Sequence, residues 1–177
     1  MDLIWAQEEN PTWDDAKGRI IGAAPPGAFE ISYAADESLP GDWFVATDPT
    51  GKPVGYGWLD ATWGGDAEIL LAVDPSLQHS GAGSFILAEL EHEAARRGLN
   101  YVYNTIRETH PDREVLHDWL SIRGYKGSST DTALRKHVEV SAPAPRVDKA
   151  PVRPDTTAVP PGHEDNGGYV DVDAHQY

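Results

Sequence analysis

None of the 177 residues is cysteine, which excludes disulfide cross-links, thiolate zinc sites, iron–sulfur clusters and cysteine nucleophiles. No apolar run approaches the ~18 residues a membrane helix needs, so no membrane association is expected. The opening Met1-Asp2-Leu3-Ile4-Trp5 lacks the basic flank and apolar stretch of a secretory signal, and a cytoplasmic protein is expected. Cations are scarce: 14 Lys and Arg stand against 29 Asp and Glu, a net charge of −15. A nucleic acid would meet that field as repulsion, so it is not an expected partner. The seven histidines form no His-Glu-x-x-His and no compact ligand set, so no metal is expected either.

What is present suits one globular domain over residues 1–140 followed by a tail. Six of the 14 prolines fall in 141–177, where periodic apolar residues are missing and ordering entropy has nothing to offset it. This acidic, Pro-rich tail is expected to be disordered. Its end, Tyr169-Val170-Asp171-Val172-Asp173, has the alternation of a short docking strand for a protein partner. Charge is uneven, −11 over residues 1–74 against −1 over 75–140, so whatever the first half faces is expected to be cationic or neutral.

Residues 1–28 show no long helical period. Strand-like runs follow at Phe29–Ala34, Trp43–Thr47 and Val54–Ala61, separated by turn signals and read as an antiparallel meander. Ala67–Val73 is almost continuously apolar, as in a central strand covered on both faces. Ser84–Arg97 carries Ile86, Leu87, Leu90 and Ala94 at helical spacing and ends at Gly98. Leu99–Ile106 reads as a strand; Pro111 opens a second helix with a stripe of Val115, Leu116, Trp119 and Leu120 that Gly124 ends; Ala133–Val140 reads as a last strand. The order predicts an α+β or mixed α/β sandwich. Of the six tryptophans, Trp43, Trp58 and Trp119 are expected in the core, and Trp5, Trp13 and Trp63 are candidates for a ligand wall.

The most informative stretch is Val73-Asp74-Pro75-Ser76-Leu77-Gln78-His79-Ser80-Gly81-Ala82-Gly83-Ser84, between the apolar strand and the first long helix. Gly81 and Gly83 let the chain turn with its amides bare, and the helix behind adds free N–H groups and the positive end of its dipole. That is an anion socket suited to a diphosphate. No Gly-Lys-Ser/Thr follows, which excludes a Walker loop, and the third glycine of a dinucleotide fingerprint is missing.

Gln78-x-x-Gly81-x-Gly83 resembles the acyl-CoA motif Gln/Arg-x-x-Gly-x-Gly/Ala of the GNAT superfamily of N-acetyltransferases. The preceding Ala67–Pro75 is similar to that family's fourth strand, and Leu120-x-x-x-Gly124-Tyr125 to its later Tyr-x-x-x-Gly-Phe/Tyr motif. The resemblance implies a mostly antiparallel central sheet with splayed central strands, flanked by helices. It implies transfer of an acetyl group from acetyl-CoA to a primary amine by direct attack on the thioester. The pantetheine arm would lie along Leu71, Ala72 and Val73, one of whose N–H groups, Ala72 foremost, would be the oxyanion donor, and the diphosphate on Gln78, His79, Ser80, Gly81, Ala82, Gly83 and Ser84.

Glu68, ten residues before Gln78, is the candidate base; Asp60 and Asp66 are lesser candidates. The family's general-acid tyrosine is replaced by Leu120, which cannot donate a proton, so Tyr103, Ser121 and His117 are substitutes, Tyr103 foremost. The family's asparagine after the fifth strand also lacks a counterpart near Asp112 or Arg113. In the family the first half of the chain shapes the acceptor pocket. Asp36, Glu37, Asp42 and Asp60 would then favour a cationic amine on a small molecule or protein, and an opening segment shorter than the family's helical pair favours an open cleft and a macromolecular acceptor. A homodimer through sheet edges stays open. The alternative is a non-catalytic module of the same fold that engages a protein partner through its tail.

Overall fold

The computed structural model of the protein describes residues 2–139. The expected tail, its Tyr169–Asp173 docking strand and the domain boundary at residue 140 lie outside them. Among the described residues no helix is long and apolar enough to cross a membrane.

The fold is α+β. A six-stranded sheet follows chain order: β1 (Ile4–Gln7), β2 (Asp42–Thr47), β3 (Pro53–Ala61), β4 (Asp66–Val73), β5 (Tyr101–Thr105) and β6 (Ala133–His137). Every neighbouring pair is antiparallel except β4 and β5. A crossover joins that parallel pair through the longest helix, α2 (Ala82–Arg96). Period-two alternation sorts the strands' side chains to the two faces. One face carries Phe44, Leu59, Ile69, Val102 and Leu134, which pack with Ile86, Leu87 and Leu90 of α2 and Leu120 of α3 (Arg113–Ile122). The other carries Trp43, Tyr56 and Ala72, which meet Ile20, Ile21 and Leu39 around the short helix α1 (Asp15–Ile20). Each fully buried Leu or Ile contributes about 1.5–3 kcal/mol to this sandwich.

Two glycines on β3 set how closely α2 approaches. A Cβ on Gly57 would stand 2.9 Å from Leu90 Cδ1 and 2.9 Å from Trp5 Cη2, and one on Gly55 would stand 2.6 Å from Ile86 Cδ1. Both long helices end in the same hydrogen-bond pattern. The amides of Gly98 and Leu99 donate to Ala95 and Ala94, and those of Gly124 and Tyr125 to Ser121 and Leu120, so each glycine sits at C′ of a Schellman cap. Leu120 and Tyr125 are both buried in the core. They supply the hydrophobic contact of that cap, which is the physical role of a leucine at position 120.

Several sequence expectations change. Phe29–Ala34 is not a strand: it alternates half-buried and exposed residues as a strand would, but no strand pairs with it. Phe29, Ile31 and Tyr33 instead pack onto the sheet face that bears α1. The meander is β1 through β4, and its first member, like α1, carried no visible period, because each is too short to show one. Val115 points outward at 67% exposure, since the buried stripe of α3 runs through Leu116, Trp119 and Leu120 and position 115 lies off that face. Trp5 belongs to the core, stacked on Phe44 at 5.2 Å.

α1 has only six residues, too few to be stable alone. Asp14 caps it by accepting from the Lys17 amide at 2.8 Å. Lys17 is itself buried, its Nζ 3.0 Å from Glu8 Oε1, 3.1 Å from Asp14 Oδ2 and 4.8 Å from the centre of the Tyr56 ring. Burial, then the Asp14 and Glu8 carboxylates, push the Tyr56 phenol far above its usual range.

Candidate active site

The parallel pairing of β4 and β5 covers only Asp66–Glu68 against Tyr101–Tyr103. Beyond it the strands diverge, and the Asn104 side-chain amide crosses the start of the gap to the Ile69 carbonyl at 2.8 Å. That contact fixes which peptides face the gap. Ile69 presents its carbonyl towards β5, whereas the Asp74 amide donates to Val54 on β3 at 2.8 Å. Directions alternate along a strand, so Leu71 and Val73 aim their N–H groups into the gap and Ala72 aims its own at β3. This corrects the expectation for Ala72. Its amide belongs to the β3 ladder and cannot serve a group in the gap, which the N–H groups of Leu71 and Val73 face instead.

At the far end of β4, Asp74 is buried, accepting from Ser76 through Oγ at 2.7 Å and N at 3.0 Å, and pairing with Arg19. The Ser76 hydrogen bonds, reinforced by Arg19, hold its carboxyl at about 2 against the opposing effect of burial. A 3-10 turn at Pro75–Leu77 follows, then Gln78, then His79 with φ 62° and Gly81 with φ 93°. Helix α2 starts at Ala82 with no side-chain cap, so the amides of Ala82, Gly83 and Ser84 have no partner within the helix. A Cβ on Gly81 would meet nothing within 4 Å: the space in front of the turn is open. Gln78, His79 and Ser80 are exposed around it, with Ser80 Oγ turned back to the Leu77 carbonyl at 2.5 Å.

Arg123, not among the expected residues, is part of this region. Its guanidinium stacks 4.0 Å from the Trp119 ring centre and donates to Ser84 Oγ at 2.7 Å, which brings a fixed cation to the first turn of α2. A lone arginine before a C′ glycine gives no hint of that reach.

On the opposite face, Asp60, Glu68 and Tyr103 are cross-strand partners on three successive strands. Burial, and next the Glu68 carboxylate, push the Tyr103 phenol above its usual range, so it stays protonated as a donor. Asp66 is 3.5 Å from Arg135. The other acid candidates are placed elsewhere: His117 and Ser121 bond each other's turn and Ser128 on the outer side of α3.

Beside Glu68 the sheet and the chain over it enclose a cleft of about 290 Å³. Trp43, Trp58, Leu70 and Thr105 form its sheet side, and Phe29, Ile31 and Tyr33 the other. Arg107, also lining it, pairs with Glu30 at 2.8 Å, and Thr109 Oγ1 donates to the Gly27 carbonyl at 2.7 Å. The segment over the cleft is thus tied at Gly27 and Glu30 to the stretch that follows β5. Trp58, expected in the core, lines this space, while Trp13 packs at 5.7 Å against Tyr33 and Trp63 stands wholly in solvent. Sequence alternation at 29, 31 and 33 is the signal that could have identified these side chains as inward-facing without the segment being a strand. Among the described residues no group of three or more His, Asp or Glu is placed to hold a metal.

The model of the acetyltransferase (GNAT) family matches residues 4–122. No curated protein matches the sequence. Among solved structures, a phosphinothricin acetyltransferase from Sinorhizobium meliloti crystallised with AcCoA is 22% identical over 56% of this chain and 62% of its own, TM-score 0.44. The PaiA N-acetyltransferase from Thermoplasma acidophilum, in complex with coenzyme A, is 19% identical over 54% and 59%, TM-score 0.46. Tetrahymena GCN5 is 11% identical over 57% and 70%, TM-score 0.46. The chain therefore spans less than two thirds of the length of the first two.

Proposed function

The chain belongs to the acetyltransferase (GNAT) family, and from that premise we propose that it transfers an acetyl group from acetyl-CoA to the nitrogen of a primary amine. One observation carries the reading: an uncapped helix N-terminus behind an open glycine turn leads along bare strand amides to a carboxylate on the other side of the same gap. The residues fit the donor. Amides from Gln78 to Ser84 suit its diphosphate, Arg123 adds a cation beside them, and the N–H groups of Leu71 and Val73 face the arm and the thioester carbonyl. When bound, acetyl-CoA supplies the acetyl group in activated form.

The remaining chemistry falls to this chain's side chains. An amine is protonated near neutral pH and must lose a proton before its nitrogen can attack; Glu68 takes that proton, directly or through water. Tyr103, held protonated beside it, is the donor that Leu120 cannot be. The carboxylates of Asp60, Asp66 and Glu68, offset only by Arg135, favour a cationic form of the acceptor at the mouth of the site.

The test has two arms. Acetyl-CoA should raise the melting temperature whereas ATP at equal concentration should not. Thiol release with a panel of amines should fall about 100-fold in kcat for Glu68→Gln with acetyl-CoA stabilisation intact. Stabilisation without release across the whole panel would favour the non-catalytic module instead.

A further inference from the structure

We propose that the acceptor is a small primary amine carried on a flat apolar body, an arylalkylamine in chemical class, and not a polyamine or a protein lysine. This rests on the reading above that Glu68 and its cleft form the acceptor side.

The walls are the first argument. Trp43 and Trp58 stack at 4.8 Å with 13° between their planes, and Phe29 comes in from the overlying segment 5.6 Å from Trp58. With Tyr33 these rings give the cleft a flat, polarisable aromatic lining against which a ring can lie. An ammonium on a short stem would lie against the same ring faces on its way to Glu68. At about 290 Å³ the space stands at the small end for ligand sites.

Charge is the second. Glu68 is the unpaired ion of the lining, since Arg107 and Glu30 neutralise each other at 2.8 Å. A polyamine needs a second and third carboxylate at intervals along its chain. None stands free inside the cleft besides Glu68: Asp60 and Asp66 lie outside its lining at the mouth, Asp66 offset by Arg135 at 3.5 Å, and farther off Glu8 and Asp14 hold Lys17, Asp42 holds Arg97 and Asp74 holds Arg19. A protein acceptor would also have to pass a segment pinned at Glu30 and Gly27.

Binding can be read without an acyl donor, because Trp43 and Trp58 report on the cleft by fluorescence. Wild-type protein titrated with 2-phenylethylamine, spermidine and a lysine-containing tetrapeptide should bind the first at least tenfold more tightly, and thiol release in the presence of acetyl-CoA should follow the same order. Trp58→Ala should weaken phenylethylamine at least tenfold while leaving the acetyl-CoA dissociation constant unchanged. Phe29→Ala, outside the sheet, makes the same test if the tryptophan variant does not fold. Equal or tighter binding of spermidine or the peptide, or no binding of phenylethylamine, overturns the assignment of class while acetyl transfer to another amine would leave the enzyme reading standing. Phenylethylamine binding with no stabilisation by acetyl-CoA would instead sink the enzyme reading and keep the cleft's preference.

Discussion

The two sides of the gap between β4 and β5 are built from different material. On the α2 side the groups offered to a ligand are main-chain amides within residues 71–84, exposed because a helix begins there without a cap and a strand loses its neighbour. On the other side they are side chains from segments as far apart as Phe29, Trp58, Glu68 and Arg107. A main-chain site needs only the right dihedral angles and lack of bulk. A side-chain site needs every contributing segment to be packed in place, so it is the more easily lost by changes elsewhere in the fold.

The largest effect should come from Lys17, which anchors α1 and the segment behind it. Lys17→Met leaves Glu8 with an uncompensated charge beneath that segment, and removing one partner of a buried pair costs about 3 kcal/mol. Urea unfolding should show that loss together with weakened amine binding, yet acetyl-CoA should still stabilise the variant by the same increment as wild type. Equal loss on both sides would show that the gap does not separate them.

Asp74 joins the two sides, since it ends β4 and holds Arg19 of α1. Its carboxyl is held at about 2, below the unfolded value of 3.8. A depressed pKa stabilises the fold fully above the unfolded value and is lost as pH falls through the folded one. The difference amounts to about 2 kcal/mol. Asp74→Asn should therefore be less stable than wild type by about that amount at pH 7, with the gap shrinking below pH 4 and closing near pH 2 in matched urea titrations. A gap that persists unchanged at low pH would mean that shape, not charge, is what the position supplies.

The same division explains what could be read from residues alone. The diphosphate turn, the apolar strand before it and the glycine-capped helices are local, so Gly81, Gly98 and Gly124 could be placed from neighbours in the chain. The direction of a peptide group is not local. Ala72 and Leu71 look equivalent in a strand, and only the Asp74–Val54 and Asn104–Ile69 contacts tell which faces the gap. Phe29–Ala34 has strand composition and strand alternation, and whether such a run enters a sheet or lies across it depends on what is free to pair with it. Net charge was likewise legible while its disposition was not. Asp42, which looked available to a cationic acceptor, is held by Arg97 of the same fold.

The smallest stability effect belongs to the amide side and is the sharpest test of its construction. Gly81 has φ 93°, and the position where a Cβ would stand is empty to 4 Å. Gly81→Ala therefore meets no clash and costs only backbone strain, about 1–2 kcal/mol. If the turn serves as a bare-amide cradle, the added methyl stands in the diphosphate's space and acetyl-CoA should bind about tenfold more weakly, a loss of about 1.4 kcal/mol, by calorimetry. Phenylethylamine binding by tryptophan fluorescence should not change, because no part of that cleft is touched. Loss of amine binding in this variant would mean that the turn supports the far side of the gap as well. Unchanged acetyl-CoA affinity would move the diphosphate away from Gly81.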